Sequence, residues 1–313
     1  MFSLKEVSAN VHRRQFSRRS VLRLSLGLLP LGLNWPRLAW AETVEPRVVT
    51  LFQGATDTAV ALGITPVGVV ESWSEKPTYR YLRPALSGVP IVGLETQPSL
   101  EDIVMLRPQA IVASRFRHQR ISALLSRIAP VTMLDEIYQF KQTVLAMGQA
   151  LQRQAAAEAS LADWQRRVAQ LQGRLQPQFG RRWPPTVAVL DIREDHIRSY
   201  LPASFPGSVL TELGFGWSEA SRAQPGVSLK LTNLESLPVV DADIFFVFLR
   251  TERASALRHY ERVIAHPLWR QMRAPQRGQV WRVDGVTWSL SGGILGAQRI
   301  LEDVERVTQG GAS

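Results

Sequence analysis

The chain has 313 residues, no cysteine and a formal net charge of +10. Without cysteine it can form neither disulfides nor thiolate metal sites. Residues 1–41 hold most of the excess positive charge, and the net charge of the remainder is about +4, which does not suggest a nucleic-acid-binding protein. The roughly 270 residues that remain suit two domains of ordinary size.

The N-terminal segment has the plan of a signal peptide. A basic stretch containing Arg18 and Arg19 precedes the apolar run 24–33, and Ala-Trp-Ala at 39–41 provides a small-residue cleavage site. The paired arginines resemble a twin-arginine export signal. The alternative is an uncleaved membrane anchor, but the apolar run is shorter than the roughly 20 residues that a span needs. We therefore expect residues 1–41 to be a twin-arginine-type signal peptide.

Short apolar runs alternate with helical patterns between residues 46 and 138. The predicted strands are 48–52, 66–70, 91–94, 110–114 and 131–134, and the predicted helices are 57–62, one that begins after Ser99, and 121–128. Ser99, three residues before Asp102, is a typical helix N-cap. Alternating strands and helices predict a parallel sheet covered by helices, so we expect an N-terminal α/β lobe at 46–138.

Residues 140–176 carry apolar side chains three or four positions apart, which is typical of an amphipathic helix. We expect one long helix that links two lobes across 139–177. A coiled-coil seam and two helices broken near Gly148 are the alternatives.

The C-terminal part repeats the alternation less regularly. Predicted strands at 186–192, 243–247 and 280–283 are accompanied by predicted helices at 207–213, 257–264 and 294–307. The pattern imperfectly echoes the first half and predicts a second α/β lobe at 184–308. Two such lobes would enclose a cleft at the carboxyl ends of their strands, the usual ligand position in open α/β sheets.

No stretch has the pattern of a catalytic motif. The sequence contains no Walker phosphate loop, no complete G-x-G-x-x-G, no G-x-S-x-G and no H-E-x-x-H. His118 and His196 fall in opposite halves. They are either two surface or loop histidines, the interpretation we favour, or a pair that faces across the cleft. We therefore predict no catalytic and no metal-ligating residues.

Arginine and aromatic residues are concentrated in the predicted loops at strand ends. Arginine binds carboxylates through two parallel hydrogen bonds, and aromatic faces cover apolar or delocalised ligand surface, so the set suits an anionic ligand such as a carboxylate-rich chelate. For any one of these residues, a solvated charge or a packed aromatic is the alternative. The candidate ligand-binding residues are Trp73, Tyr79, Arg80, Arg115, Arg117, Arg193, Arg198, Tyr200, Trp217, Arg222 and Trp288.

Several stretches, in order along the chain, resemble iron-siderophore periplasmic binding proteins. The clearest is Val-Gly-Leu-Glu-Thr-Gln-Pro-Ser-Leu-Glu at 92–101, which runs on to Arg-Pro-Gln-Ala-Ile-Val-Ala at 107–113. Others are Ile-Ala-Pro-Val at 128–131, Gly-Ser-Val-Leu at 207–210 and His-Pro-Leu-Trp at 266–269. The resemblance is strongest to ferric citrate binding proteins and more distant to ferric hydroxamate binding proteins.

This resemblance implies a class III periplasmic binding protein fold, with two Rossmann-like α/β lobes joined by one long helix and only small lobe movement. It implies a non-enzymatic periplasmic protein that captures an Fe(III) siderophore and delivers it to an inner-membrane ABC permease and its ATPase. Iron would stay within its chelator, so the protein would need no cofactor, and we expect a monomer. By position, Arg117 and Trp288 match ligand-contacting residues of the family, and Glu101, Asp102 and Glu235 match its acidic permease contacts.

The sequence also departs from the family pattern. Glu95 stands where both relatives carry arginine, and Leu290 and Gly292 replace arginines of the citrate-type proteins. A carboxylate at 95 would repel a polyanionic chelate unless it pairs with a neighbour such as Arg115 or Arg117. The binding mode of the family therefore carries over but the identity of the siderophore does not. We expect a ferric citrate-like or another carboxylate or hydroxamate chelate, and a chelate less anionic than ferric dicitrate is compatible with Glu95. The alternatives are a cobalamin, haem or metal carrier on the same scaffold, a siderophore-processing enzyme, and a purely structural module.

Overall fold

The computed structural model describes residues 46–310, with the side chains of 309 and 310 left out. The predicted signal peptide therefore lies outside the described residues. No helix within the described range is long and apolar enough to cross a membrane.

The first sheet has six strands in the order β4-β3-β2-β1-β5-β6. Every neighbouring pair is parallel except β3 and β4, which form a short antiparallel edge that the sequence did not predict. The strands are β1 (Val48–Thr50), β2 (Gly68–Glu71), β3 (Ile91–Leu94), β4 (Gln97–Pro98), β5 (Ala110–Ser114) and β6 (Val131–Leu134). Their helices are α1 (Gln53–Ala61), α2 (Leu100–Met105), α3 (Arg115–His118) and α4 (Ser122–Leu125).

This N-terminal lobe follows from local sequence signals. The bounds of β3, β5 and β6 are those the apolar runs predicted. The Ser99 hydroxyl accepts a hydrogen bond from the backbone N–H of Asp102 at 3.2 Å, which confirms the predicted cap of α2. The predicted helix 121–128 is shorter, because only α4 and a preceding 3₁₀ turn (Gln119–Ile121) form there.

The second sheet has five strands in the order β11-β10-β7-β8-β9. The pairs β10–β11 and β10–β7 are parallel, whereas β7–β8 and β8–β9 are antiparallel. The strands are β7 (Val187–Ile192), β8 (Ile197–Tyr200), β9 (Ser228–Leu231), β10 (Ile244–Leu249) and β11 (Val280–Arg282). The two lobes are therefore similar in plan but not copies of one another.

Helices and turns on the second sheet complete the C-terminal lobe. Thr287 and its neighbours form a π-helical turn (Val286–Leu290), and a 3₁₀ helix (Leu234–Val240) precedes β10. Two helices, α5 (Phe140–Ala150) and α6 (Gln154–Phe179), connect the lobes. The α-helices after residue 200 are α7 (Phe205–Glu212), α8 (Glu219–Ala223), α9 (Ala254–Ala265), α10 (Pro267–Gln271), α11 (Arg273–Gln276) and α12 (Ile294–Gly310).

The prediction of one continuous helix over 140–176 is wrong. The structure has α5 (Phe140–Ala150) and α6 (Gln154–Phe179), separated by a sharp turn. The rings of Phe140 and Trp164 lie 5.0 Å apart, so α5 folds back on α6. Gly148 permits this close packing, since a Cβ there would come within 2.5 Å of the Ala157 Cβ. Only α6, about 39 Å long at 1.5 Å per residue, remains as the long connecting helix.

One hydrophobic core continues from lobe to lobe. It includes Phe52 and Val144 on the N-terminal side, Trp164 on α6, and Phe246 and Ile294 on the C-terminal side, all of them buried. Since this interior is close-packed rather than a wet interface, we expect the lobes to resist large relative movement.

Asp57 also joins the two lobes. It is fully buried in α1, and its carboxylate accepts hydrogen bonds from the backbone N–H groups of Leu295 and Gly296 at 2.8 and 2.9 Å. These groups open α12, so Asp57 caps a helix that begins on the other lobe. The Tyr81 hydroxyl donates a further bond at 2.7 Å. Burial raises the pKa of Asp57 to about 6 despite these three donors.

Candidate functional site

A cavity of about 260 Å³ lies between the lobes. Its walls come from the start of α1 and the segments after β2, β3 and β5 on one side, and from β8, the end of β10 and the π-helical turn on the other. The lining residues are Phe52, Gln53, Gly54, Trp73, Glu95, Arg117, Ile137, Tyr138, Arg198, Tyr200, Ser204, Phe205, Pro206, Val227, Arg250, Ser289, Leu290, Ser291 and Gly292.

Glu95 organises the N-terminal wall of this cleft. Its side chain is only 3% exposed. One carboxylate oxygen accepts the Arg117 Nε–H at 3.3 Å, and the other accepts the Trp73 indole N–H at 3.1 Å and the Gln53 backbone N–H at 3.3 Å. Burial raises the pKa of Glu95, while the charge of Arg117 and these hydrogen bonds oppose the rise. Of the two possible partners named from the sequence, Arg117 pairs with Glu95, whereas Arg115 pairs with Asp135.

His118 supports this wall from behind and does not face the cleft. Its Nδ1 accepts the backbone N–H of Ser114 at 3.1 Å, so the proton lies on Nε2, which donates to the Glu95 backbone carbonyl at 2.8 Å. Burial lowers the pKa of His118, which keeps the ring neutral. The other histidine considered from the sequence, His196, bonds to Asp195 at 2.7 Å. Both therefore have local structural partners.

The C-terminal wall has a different charge. Arg198 and Tyr200 are two positions apart on β8, so their side chains lie on the same face of the strand, which lines the cleft. Arg250 follows the end of β10. Ser289 Oγ lies 2.7 Å from the Tyr200 hydroxyl and accepts the Arg250 Nη1–H at 3.1 Å. Among the ion pairs within residues 46–310, none involves Arg198 or Arg250. This wall thus presents two cations whose charge no carboxylate cancels there.

Four of the eleven candidate ligand residues line the cleft: Trp73, Arg117, Arg198 and Tyr200. They come together because the carboxyl ends of β2 and β5 and one face of β8 reach the same gap between the lobes.

The other three aromatic candidates, Tyr79, Trp217 and Trp288, are packed in the interior and do not line the cavity, contrary to the prediction. Trp288 is fully buried, lies 4.6 Å from the ring of Phe246 and donates to Asp303 at 2.8 Å. Tyr79 is also fully buried, and Trp217 is 5% exposed with its indole N–H bonded to Thr211.

Four basic candidates also lie outside the cleft lining. Arg80 pairs with Glu75, Arg115 with Asp135, and Arg193 with the buried Asp191. Arg222 is exposed on α8. Sequence alone could not separate these residues from the lining ones, because position after a strand does not fix which way a side chain points.

Arg250 and Ser289 are lining residues that the sequence did not single out. The predicted strand at 243–247 stopped short of Arg250, whereas β10 extends to Leu249. With the strand end placed correctly, the rule that ligands bind beyond the carboxyl ends of strands would have selected Arg250.

The predicted permease contacts are accessible. Glu101 and Asp102 are exposed in the first turn of α2. Glu235 is 79% exposed at the start of the 3₁₀ helix, 3.8 Å from His266. Glu101 and Glu235 thus lie on different lobes.

Within residues 46–310, no group of three or more His, Cys, Asp or Glu side chains is placed to hold a metal ion. The donors of the cleft are instead guanidinium, indole, phenol and hydroxyl groups. Such a set suits an anionic organic ligand rather than a bare cation.

Comparison with known proteins agrees with this architecture. Residues 48–287 match the family described as periplasmic binding protein. The chain is 74% identical over 292 residues to the achromobactin-binding periplasmic protein of Dickeya dadantii (strain 3937), covering 93% of this chain and 96% of that protein. It is 30% identical over 270 residues to the Fe(3+) dicitrate-binding periplasmic protein FecB of Escherichia coli (strain K12), covering 85% and 86%.

A solved structure extends the likeness to three dimensions. Staphylococcus aureus SirA complexed with staphyloferrin B superimposes with a TM-score of 0.81 at 34% identity, covering 85% of this chain and 94% of that chain. The family match, these identities and the two-lobed fold lead to one conclusion: the chain belongs to the periplasmic binding protein family.

Proposed function

We propose that the protein binds a ferric siderophore in the interlobe cleft and delivers it to an inner-membrane ABC importer. The observation that carries the proposal is the convergence of Arg117, Arg198 and Arg250 on one cavity, the last two with no carboxylate partner within residues 46–310. Guanidinium groups of this kind recognise carboxylates with charge-assisted hydrogen bonds. Iron would arrive as cargo inside its chelator, so the protein would contribute no metal ligand.

Ferric achromobactin is the ligand we propose. The support is 74% identity, across nearly the whole chain, to a protein named for binding achromobactin. Ferric dicitrate is the second chelate to test, because the relative at 30% identity is named for it.

The test is a binding panel on the processed protein, residues 42–313. Tryptophan fluorescence would be followed during titration with ferric achromobactin, ferric dicitrate, a ferric trihydroxamate, haem and cobalamin. We expect saturable binding of ferric achromobactin at micromolar concentration or below, and weaker or no response to haem and cobalamin. Failure of every ferric chelate to bind would refute the proposal.

We further propose that binding involves no chemistry on the ligand. In the cleft, Ser289 Oγ is hydrogen-bonded to Tyr200 and Arg250, and within residues 46–310 it has no histidine or carboxylate partner that could act as a base. Siderophore recovered after prolonged incubation should be intact by mass spectrometry. A hydrolysed product formed at a rate that depends on protein concentration would instead indicate an enzyme.

Export and docking are proposed from the sequence. Residues 1–41 would direct the folded protein through the twin-arginine route to the periplasm, and replacing Arg18 and Arg19 with lysine should stop export.

One acidic residue on each lobe would contact the permease when the protein, as a monomer, docks on it. Glu101→Ala and Glu235→Ala should leave chelate binding unchanged and lower siderophore-dependent iron uptake, whereas unchanged iron uptake would show that Glu101 and Glu235 do not contact the permease.

A further inference from the structure

The carboxylate of Glu95 connects three separate segments of the N-terminal lobe. Its partners are Trp73 after β2, Gln53 at the start of α1 and Arg117 on α3, at 3.1 to 3.3 Å. A carboxylate taken out of water is retained only where charge and hydrogen bonds compensate it. Glu95 has such compensation on both oxygens, so this is a built arrangement rather than an accidental contact.

The two side chains that Glu95 bonds, Trp73 and Arg117, line the cleft. The Arg117 guanidinium lies over two aromatic rings, 5.4 Å from the centroid of Trp73 and 4.8 Å from that of Phe116. Trp73 is 44% exposed and Phe116 is 61% exposed. Large exposed aromatic surface at a cleft mouth is typical of a ligand contact. Trp73 and Arg117 line the cavity, and Phe116 lies next to it against Arg117; we call these three side chains the rim platform.

The rim platform differs in charge from the opposite wall. Glu95 offsets the charge of Arg117 at 3.3 Å, so the N-terminal wall is close to neutral. Across the cleft, Arg198 and Arg250 have no such partner within residues 46–310. A bound chelate would therefore meet a flat, aromatic, near-neutral surface on one side and two open cations on the other.

We propose that Glu95 is a positioning residue that also determines specificity: it fixes the rim platform and, by neutralising Arg117, turns the anionic groups of the chelate toward Arg198 and Arg250. This inference rests on the proposed function and deepens it. The cleft then selects ferric chelates whose ionised groups lie on one side. It disfavours chelates that present carboxylates in all directions, such as ferric dicitrate.

Two variants test the roles of Glu95. Glu95→Gln removes the negative charge and keeps the side-chain shape and one acceptor oxygen, while its NH2 group faces a donor that the second carboxylate oxygen had accepted. Glu95→Ala removes the charge, both acceptors and the side-chain shape. Glu75→Gln is the matched control, because Glu75 is a shielded carboxylate of the same lobe that pairs with Arg80 outside the main cleft. All three would be titrated with ferric achromobactin and ferric dicitrate.

We expect Glu95→Gln to shift the ratio of the two Kd values at least tenfold in favour of ferric dicitrate, because no carboxylate then offsets the charge of Arg117. Glu75→Gln should leave the ratio within twofold of wild type. In the ligand-free protein, Glu95→Ala should increase acrylamide quenching of the Trp73 emission, isolated by subtracting the Trp73→Phe variant, because the indole loses its anchor.

The outcomes distinguish the inference from the function on which it rests. If Glu95 matters only for folding, Glu95→Gln should weaken the binding of both chelates equally and leave the ratio of their Kd values unchanged. That result, with ferric achromobactin still bound, would overturn the role of Glu95 in specificity but not the proposed function. Unchanged Trp73 quenching in Glu95→Ala would overturn the positioning. Wild-type protein that binds none of the ferric chelates of the panel would overturn the proposed function, and the selectivity with it.

Discussion

Trp73 and Trp288 show at the residue scale what the sequence could and could not predict. Both were candidates for the cleft, since both follow predicted strands. Trp73 lies at the rim and bonds to Glu95, whereas Trp288 is buried against Phe246. An aromatic side chain is equally suited to a core and to a ligand surface, so only the fold decides between the two roles.

Crossed substitutions test this assignment. Trp288→Phe should lower the free energy of unfolding by about 1–3 kcal/mol, because the buried hydrogen bond to Asp303 is lost and a gap remains. Its Kd for ferric achromobactin should stay within a few-fold of wild type. Trp73→Phe should do the reverse, with a smaller loss of stability and a clearly raised Kd. Urea unfolding measures the free energy of unfolding, and fluorescence titration measures the Kd. A clearly raised Kd for Trp288→Phe, with little loss of stability, would indicate that Trp288 contacts the ligand.

At the scale of elements, regular strands were predicted well, whereas a break near Gly148 was only an alternative to the one continuous helix that we expected. The strands β3, β5 and β6 were predicted because each is a short run of mainly apolar residues, and β3 and β6 each begin directly after a proline. The turn between α5 and α6 contains neither Gly nor Pro. It is made by Gln152 in the left-handed region, at φ 56°, which a non-glycine residue adopts infrequently. No local signal marks such a turn.

The packing of α5 on α6 can be tested with two glycines. Gly148→Ala should destabilise the protein by about 1–3 kcal/mol, because the new methyl group would come within 2.5 Å of the Ala157 Cβ. Gly173→Ala is the control on exposed α6 surface, where a Cβ meets nothing within 4 Å. It should stabilise by about 0.5–1 kcal/mol through helix propensity. Chemical denaturation of both variants would measure the contrast, and equal effects would contradict the close approach.

At the scale of the whole molecule, the lobes share a core and a buried carboxylate. The continuous core and the Asp57 cap of α12 join α1 of the first lobe to the last helix of the chain. A cleft between lobes joined in this way should be largely preformed, and recognition should depend on its side chains rather than on closure. The two-lobed plan was predictable from alternating strands and helices. The Asp57 contact was not, because it joins residues about 240 positions apart.

The Asp57 contact predicts a pH dependence of stability. The pKa of Asp57 is raised from 3.8 to about 6, so between these values the folded chain keeps a proton that the unfolded chain has lost. The stability that this site contributes is therefore complete below about pH 4 and is lost as pH rises through 6. Over that range, wild type should lose about 3 kcal/mol relative to Asp57→Asn, which does not titrate.

Urea unfolding of both proteins at pH 4, 5, 6 and 7 would measure this difference. Changes in the hydrogen bonds of the asparagine variant, including those to Tyr81 and α12, add an offset that pH does not alter. If the difference in free energy of unfolding between wild type and Asp57→Asn does not change with pH, or shifts in favour of wild type as pH rises, the raised pKa of Asp57 is contradicted.

The most direct measurement is equilibrium binding of ferric achromobactin to wild type and to an Arg198→Ala/Arg250→Ala double variant. Arg262→Ala, which removes one exposed charge from α9 of the same lobe, is the control. Wild type and the control should bind with similar Kd, and the double variant at least 100-fold more weakly, since each charged hydrogen bond is worth about 1.5–3 kcal/mol. If the double variant binds as tightly as wild type, the cleft described here is not where the chelate binds.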